Sequence, residues 1–427
     1  MNEKFISRSA GKKIVLPFFL IASFFLLLFT IGLFISSGEL SGHYFQPHLL
    51  ALVHVLLLGF CTMIIFGALY QLLPVLSEQP LFSKRLTVWS CILLSWGTLM
   101  LGYSFWIFDS GVIMQIAGSV IFIAVVLHII NVLFSLRGAK STIALECIAT
   151  AHLWLLLTVI AGLLLAFNFQ FAFLPQNQLH YLALHAHLGL AGWLLLLIIG
   201  VGSKLIPMFM LSGKDHSRLI RFSYYIINAA LVLFFADVMF THSYGRSWIY
   251  VVLICAGIIG FVLMIIRVRR SSVRKKTDES MKQTFIATFF LLLPAIIALA
   301  LSFPLDIFRE SQLLMFARIY GIALIPGFLV MLILAQTFKV LPFILWLDLK
   351  HNGLIPSKFM PRDLYNAKRV AVMLWMWNAG ILLLITGNSL NLVWMNYVAS
   401  GITILSALLY VSNILFMIKN KRVFAEI

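Results

Sequence analysis

The run Gly67-Ala68-Leu69-Tyr70-Gln71-Leu72-Leu73-Pro74 closes a long apolar stretch and has two counterparts downstream. They are Gly200-Val201-Gly202-Ser203-Lys204-Leu205-Ile206-Pro207 and Ala335-Gln336-Thr337-Phe338-Lys339-Val340-Leu341-Pro342. In each, a polar Gln or Lys precedes a proline by three positions, and Pro74, Pro207 and Pro342 are almost evenly spaced along the chain. A second set, Ile21-Ala22-Ser23, Ile148-Ala149-Thr150 and Ile286-Ala287-Thr288, lies near the start of three other apolar stretches. Similarity at a fixed period marks internal repetition. It divides the chain into three arcs, about 1–138, 139–276 and 277–427.

What fills each arc follows from composition. Of 427 residues, 62% are apolar and 11% are charged, against about 45–50% and about 25% in soluble domains. Mean hydropathy is +1.04. These values exclude a soluble globular domain, a disordered chain and a disulfide scaffold. A helix needs about 20 apolar residues to cross a bilayer. Twelve stretches qualify, at roughly 14–36, 47–73, 87–108, 112–136, 143–168, 178–206, 219–241, 247–267, 283–303, 311–342, 368–387 and 391–417. The expected fold is all-α and integral to the membrane, with twelve transmembrane helices in three pseudo-repeated arcs of four. The run from Lys13 to Ile35 is too long for a signal-peptide core and reads as the first span.

The net charge of +17 would suggest nucleic acid in a soluble protein, but here it reads as loop charge and no nucleic-acid partner is expected. With both termini and the even-numbered loops on one side, 28 of the 31 Lys and Arg fall there (31 less Arg246, Arg309 and Arg318). Positive charge marks the cytoplasmic side, which implies a bacterial inner-membrane protein with cytoplasmic termini. The four cysteines, Cys61, Cys91, Cys147 and Cys255, form no C-x-x-C pair, so thiolate metal sites and disulfides are not expected.

Twelve helices in three arcs, with histidines on the second and sixth, resemble subunit I of the haem–copper oxidases. The run Gln46-Pro47-His48-Leu49-Leu50-Ala51-Leu52-Val53-His54 is similar to the low-spin haem helix of that family. The resemblance implies haem and copper as cofactors, and an electron donor or small partner subunit beside the lipid bilayer. Other positions depart from the family. The tenth helix has Tyr320 and Ile322 where axial histidines belong, the sixth reads His185-Ala186-His187-Leu188-Gly189, and the seventh lacks the copper-site histidine pair. A standard binuclear centre is therefore not expected, nor is a complete oxygen reductase or proton pump. Divergent relatives of the NnrS type, linked to nitric oxide stress, are nearer in pattern.

Seven histidines fall within expected spans. A lone buried histidine is commonly a packing residue, so positional pattern is what singles these out. His54 precedes Pro74 by the same interval as His187 precedes Pro207, which makes them the expected haem pair. His180 and His185 complete a cofactor-binding set on the sixth helix; His185 and His187, separated by Ala186 alone, point to nearly opposite sides. His128 and His152, on consecutive helices, form a second pair for a metal or a hydrogen bond, and His152 replaces Phe25 and Phe290 of the sister arcs. His48 at the interface is a further metal candidate. Gln71, Lys204 and Lys339 form a polar set at the proline end, read either as lysines snorkelling to the interface or as an anion entry. Met208 and Met210 read as packing. The functional expectation is a haem-binding, and copper-binding, membrane protein in redox or nitric oxide/oxygen-related respiratory chemistry. The alternative is a transporter or a metal/haem assembly protein on the same fold.

Overall fold

The computed structural model describes residues 11–274, 276–303, 307–356 and 358–419. Most of the basic N-terminal segment, expected on the cytoplasmic side, lies outside them, as does the extreme C-terminus. Twelve helices are long and apolar enough to span a bilayer, and among the described residues there is no strand. They are α1 (Lys12–Ile35), α2 (Pro47–Ser77), α3 (Lys84–Trp106), α4 (Val112–Ser135), α5 (Ile143–Phe171) and α6 (Gln178–Met210), then α7 (Ser217–Thr241), α8 (Ser247–Ser271), α9 (Glu279–Ser302), α10 (Glu310–His351), α11 (Ala367–Leu390) and α12 (Val393–Lys419). The protein is an integral membrane protein. Large apolar side chains such as Trp89, Trp96 and Trp394 are exposed on the outside of the bundle, where lipid covers them.

Local sequence sets the helix ends. Ser83, Thr142, Asn177, Asp278 and Asn366 each accept a hydrogen bond from a backbone N–H of the first turn, satisfying donors that the helix itself leaves free. The spans match the hydropathy reading closely, with one correction. The helices with repeat prolines do not end at them: α2 runs to Ser77, α6 to Met210 and α10 to His351. A proline removes one backbone hydrogen bond. Beyond Pro342 that loss is outweighed by burial of Ile344, Leu345 and Leu349 and by the bond from Trp346 Nε1 to Phe359 O at 2.7 Å.

The same pairings recur along the chain. In each group of four helices the first packs on the second (α1–α2, α5–α6, α9–α10), and the third packs on the fourth (α3–α4, α7–α8, α11–α12). The fourth meets the first of the next group (α4–α5, α8–α9), and α12 returns to α1. The helices with repeat prolines lie innermost. Their most apolar stretches are 67%, 56% and 83% buried for α2, α6 and α10, against at most 50% for the other nine.

Each inner helix also carries a π-helical segment of equal length: Val55–Thr62, Leu188–Leu195 and Ala323–Val330. All three begin at the same interval before their repeat proline (55 to 74, 188 to 207, 323 to 342). Such segments are rare and concentrate at functional sites. The fifth position of each is a glycine set against an aromatic ring of the preceding helix: Gly59 on Phe25, Gly192 on Trp154 and Gly327 on Phe290.

Candidate functional site

The bundle has two ends, one bearing Pro74, Pro207 and Pro342 and the other the first turns of α2, α6 and α10. Near the second end, the side chain of His54 on α2 points at α6. Its Nδ1 donates to Leu50 O, one turn back, at 2.7 Å. Its ring faces Phe105 at 4.9 Å and His185 at 6.3 Å between centroids, the two imidazoles tilted by only 15°. His185 Nδ1 donates to Thr158 O of α5 at 3.0 Å. Gly162 of α5 admits this ring, because a Cβ there would stand 2.9 Å from its Cε1. With both Nδ1 atoms committed to carbonyls, both Nε2 atoms present a lone pair, which is how neutral histidines are oriented as metal ligands.

His187 does not join that pair. Its Nδ1 donates to Ala183 O at 2.7 Å, and its Nε2 accepts from Tyr320 Oη of α10 at 3.3 Å. The structure thus sets His54 beside His185 and His187 beside Tyr320, and does not bring His54 and His187 together. Repeat equivalence puts His54 and His187 at one depth, but each faces the next helix around the bundle, so equivalent residues point at different neighbours. His180 turns to the end of α7, with Nε2 3.4 Å from Val238 O, and Tyr244 donates to its backbone carbonyl. Burial pushes the Tyr244 hydroxyl up to about 12, so it stays a donor. His48 pairs with the Glu39 carboxylate at 2.8 Å and lies 4.3 Å from the Trp106 ring. These two histidines fasten loops.

The second expected pair does meet. At the proline end, His128 Nε2 of α4 and His152 Nε2 of α5 are 3.1 Å apart. His152 Nδ1 lies 2.6 Å from Ile148 O, and His128 Nδ1 lies 2.6 Å from Tyr70 Oη of α2, which is itself 2.9 Å from Ser90 Oγ of α3. All four side chains are buried. Phe66 stacks on His128 at 3.3 Å between centroids, and Trp193 stands edge-on to His152 at 4.9 Å. The facing nitrogens share a hydrogen bond, which occupies the lone pair an ion would need.

The polar set does not converge. Lys339 is ion-paired with Asp278, Gln71 is buried with no hydrogen-bond partner for Oε1, and Lys204 is exposed. Asp237 accepts from Tyr250 Oη at 2.7 Å and from Thr241 Oγ1 at 2.9 Å, closing the end of α7. Among the described residues no group of three or more His, Cys, Asp or Glu side chains is placed to share an ion.

A cavity of about 70 Å³ lies between α6, α8, α9 and α10, with His187, Tyr320 and Cys255 among apolar walls. Hydropathy could not locate it, because its walls look like any other span. Gly59, Gly192 and Gly327 were a signal for the π-helical segments alone, since all three stand at one interval before a repeat proline (59 to 74, 192 to 207, 327 to 342).

Fold and site together define a twelve-helix membrane protein with imidazole pairs at both ends of its interior. Among known proteins, no family model and no curated sequence matches the chain.

Proposed function

We propose that this is a haem-binding membrane protein of redox or nitric oxide/oxygen-related respiratory chemistry, in which His54 and His185 would hold the group. One observation carries the reading, the 6.3 Å spacing of two nearly parallel imidazoles whose Nδ1 atoms are both engaged. Two imidazoles that bind one ion at about 2.0–2.1 Å from each nitrogen stand at about this separation. Two ligands are too few for a protein-held zinc ion, which takes three or four. Haem carries most of its iron's ligands itself, so a pair of imidazoles would be enough to hold it. Bound here, it would supply a one-electron carrier or a gas-binding iron. The chain's part is to fix both imidazoles in the Nδ1–H tautomer through Leu50 O and Thr158 O, and to keep water from them with apolar walls such as Phe105. A bare copper ion on the same pair is the lesser form of this reading.

The reading includes three quasi-equivalent arcs, supported by the recurring helix pairings and π-helical segments. It also places the proline end and both termini in the cytoplasm of a bacterial inner membrane, supported by the distribution of Lys and Arg, and it calls for an electron donor or a small partner subunit. A transporter or metal/haem assembly protein is the second reading. Irregular inner helices are common in transporters, and three recur here, one of them on the helix that carries the buried Gln71 with an unpartnered Oε1.

Absorption spectroscopy decides. Protein purified from haem-replete cells should show a Soret band of low-spin type. His54→Ala or His185→Ala should abolish the low-spin signature, whereas His187→Ala and His351→Ala should keep it. Haem-free protein, or a spectrum unchanged in both of the first two variants, sinks the proposal; stoichiometric copper without a Soret band would support the bare-ion form instead.

A further inference from the structure

We propose that the cavity bounded by α6, α8, α9 and α10 binds a small neutral molecule of two or three heavy atoms, a dissolved gas taken up from the bilayer. The inference does not require haem to be bound.

The cavity is built by irregular backbone on three sides. Leu190, Ala191 and Leu194 come from the π-helical segment of α6, and Leu324 and Phe328 from that of α10. On the third side α9 is interrupted at Leu291, ahead of Pro294, and both residues line the cavity. Proline has no N–H to continue the ladder, so the interruption is encoded.

Size and polarity select the occupant. At about 70 Å³ the cavity is about half the size of an apolar cavity that takes benzene or xenon. The space itself holds only a few heavy atoms, although it is open on one side. No charged side chain lines it, so ions are excluded. Its polar groups are three, and two are committed. Cys255 Sγ lies 3.6 Å from Ala295 O. His187 Nδ1 donates to Ala183 O, so His187 Nε2 accepts only. Tyr320 donates to that Nε2 at 3.3 Å, longer than the usual O–H bond of about 2.7–2.8 Å. The tyrosine hydroxyl is thus the one donor that a ligand can draw away at little cost. Val251, Ile254, Ala295 and Ala298 keep part of their accessible surface. The seam of α8 and α9 is therefore incompletely closed on the side where apolar gases concentrate.

Xenon is the probe. Crystals of the full chain pressurised with xenon should show an atom in contact with Leu194 and Phe328. Ala295→Leu and Ala298→Leu each place a side chain in the space. Occupancy should fall about tenfold or more in either variant, while helix content and thermal stability are retained. Tyr320→Phe keeps the walls and should keep xenon. No xenon in the unmodified protein, ordered water or an acyl chain in its place, or undiminished xenon in both leucine variants would overturn the proposal. Density in the unmodified protein decides the matter even where a variant fails to fold. A missing Soret band would not affect this result, and a missing xenon atom would not affect the haem reading.

Discussion

His152 leaves its neighbours no choice of hydrogen positions. Its Nδ1 faces Ile148 O and must donate, so its Nε2 accepts; His128 Nε2 must then donate, and His128 Nδ1 must accept from Tyr70 Oη. Both rings are neutral in this arrangement, as burial without a counter-charge requires. Nitrogen-15 spectra of histidine-labelled protein should show His128 as the Nε2–H tautomer and His152 as the Nδ1–H tautomer. Tyr70→Phe leaves a buried acceptor unpaired and should destabilise the protein by about 1–3 kcal/mol. Reversed tautomers, or a neutral Tyr70→Phe, would refute the chain. The pattern His152 for Phe25 and Phe290 was visible in the sequence. Its reason was not: in the middle arc Trp154, on the same helix, takes over packing against the glycine, which frees position 152 for a polar role.

At the scale of the element, the inner helices are held by glycine-on-aromatic contacts at their π-helical segments. A Cβ on Gly192 would stand 2.7 Å from Trp154 Cγ, and one on Gly327 would stand 2.6 Å from Phe290 Cε1; Gly59 is tighter still against Phe25. Alanine at any of the three forces ring and helix apart, and overpacking of this kind costs about 1–3 kcal/mol. On α12 an added Cβ at Gly401 meets nothing within 4 Å. There Gly→Ala should be neutral or stabilising by up to about 1 kcal/mol through helix propensity. Thermal unfolding in detergent checks both, and equal effects at the two kinds of site would contradict the packing account. These contacts lie between helices, so no one-helix periodicity reveals them.

For the whole molecule the testable quantity is sidedness. Short loops and twelve spans put Lys140, Lys214 and Lys276 at the proline end and Arg246 and Arg309 at the other. Single cysteines placed at these five positions should react with a membrane-impermeant maleimide in two opposed groups in sealed vesicles. Labelling of Lys276→Cys from the same side as Arg246→Cys would overturn the twelve-span topology. Arg318, one of the few basic residues assigned to the second end, donates to Ser41 O and Gly42 O and so ties α10 to the loop before α2.

Hydropathy alone determined the helix count, the all-α class and the membrane location, because crossing a bilayer imposes length and apolarity on each helix independently of its neighbours. Repetition in the sequence singled out three helices, and the structure shows that these three carry π-helical segments at matching places. Direction was left to the tertiary structure. Whether His54 meets His185 or His187 depends on how α2 and α6 are rotated about their own axes. That rotation is set by contacts such as Gly162 on His185 and Gly59 on Phe25, which lie between helices distant in sequence. The gas-sized cavity arises the same way, from the spacing of four helices, and no single one of them encodes it.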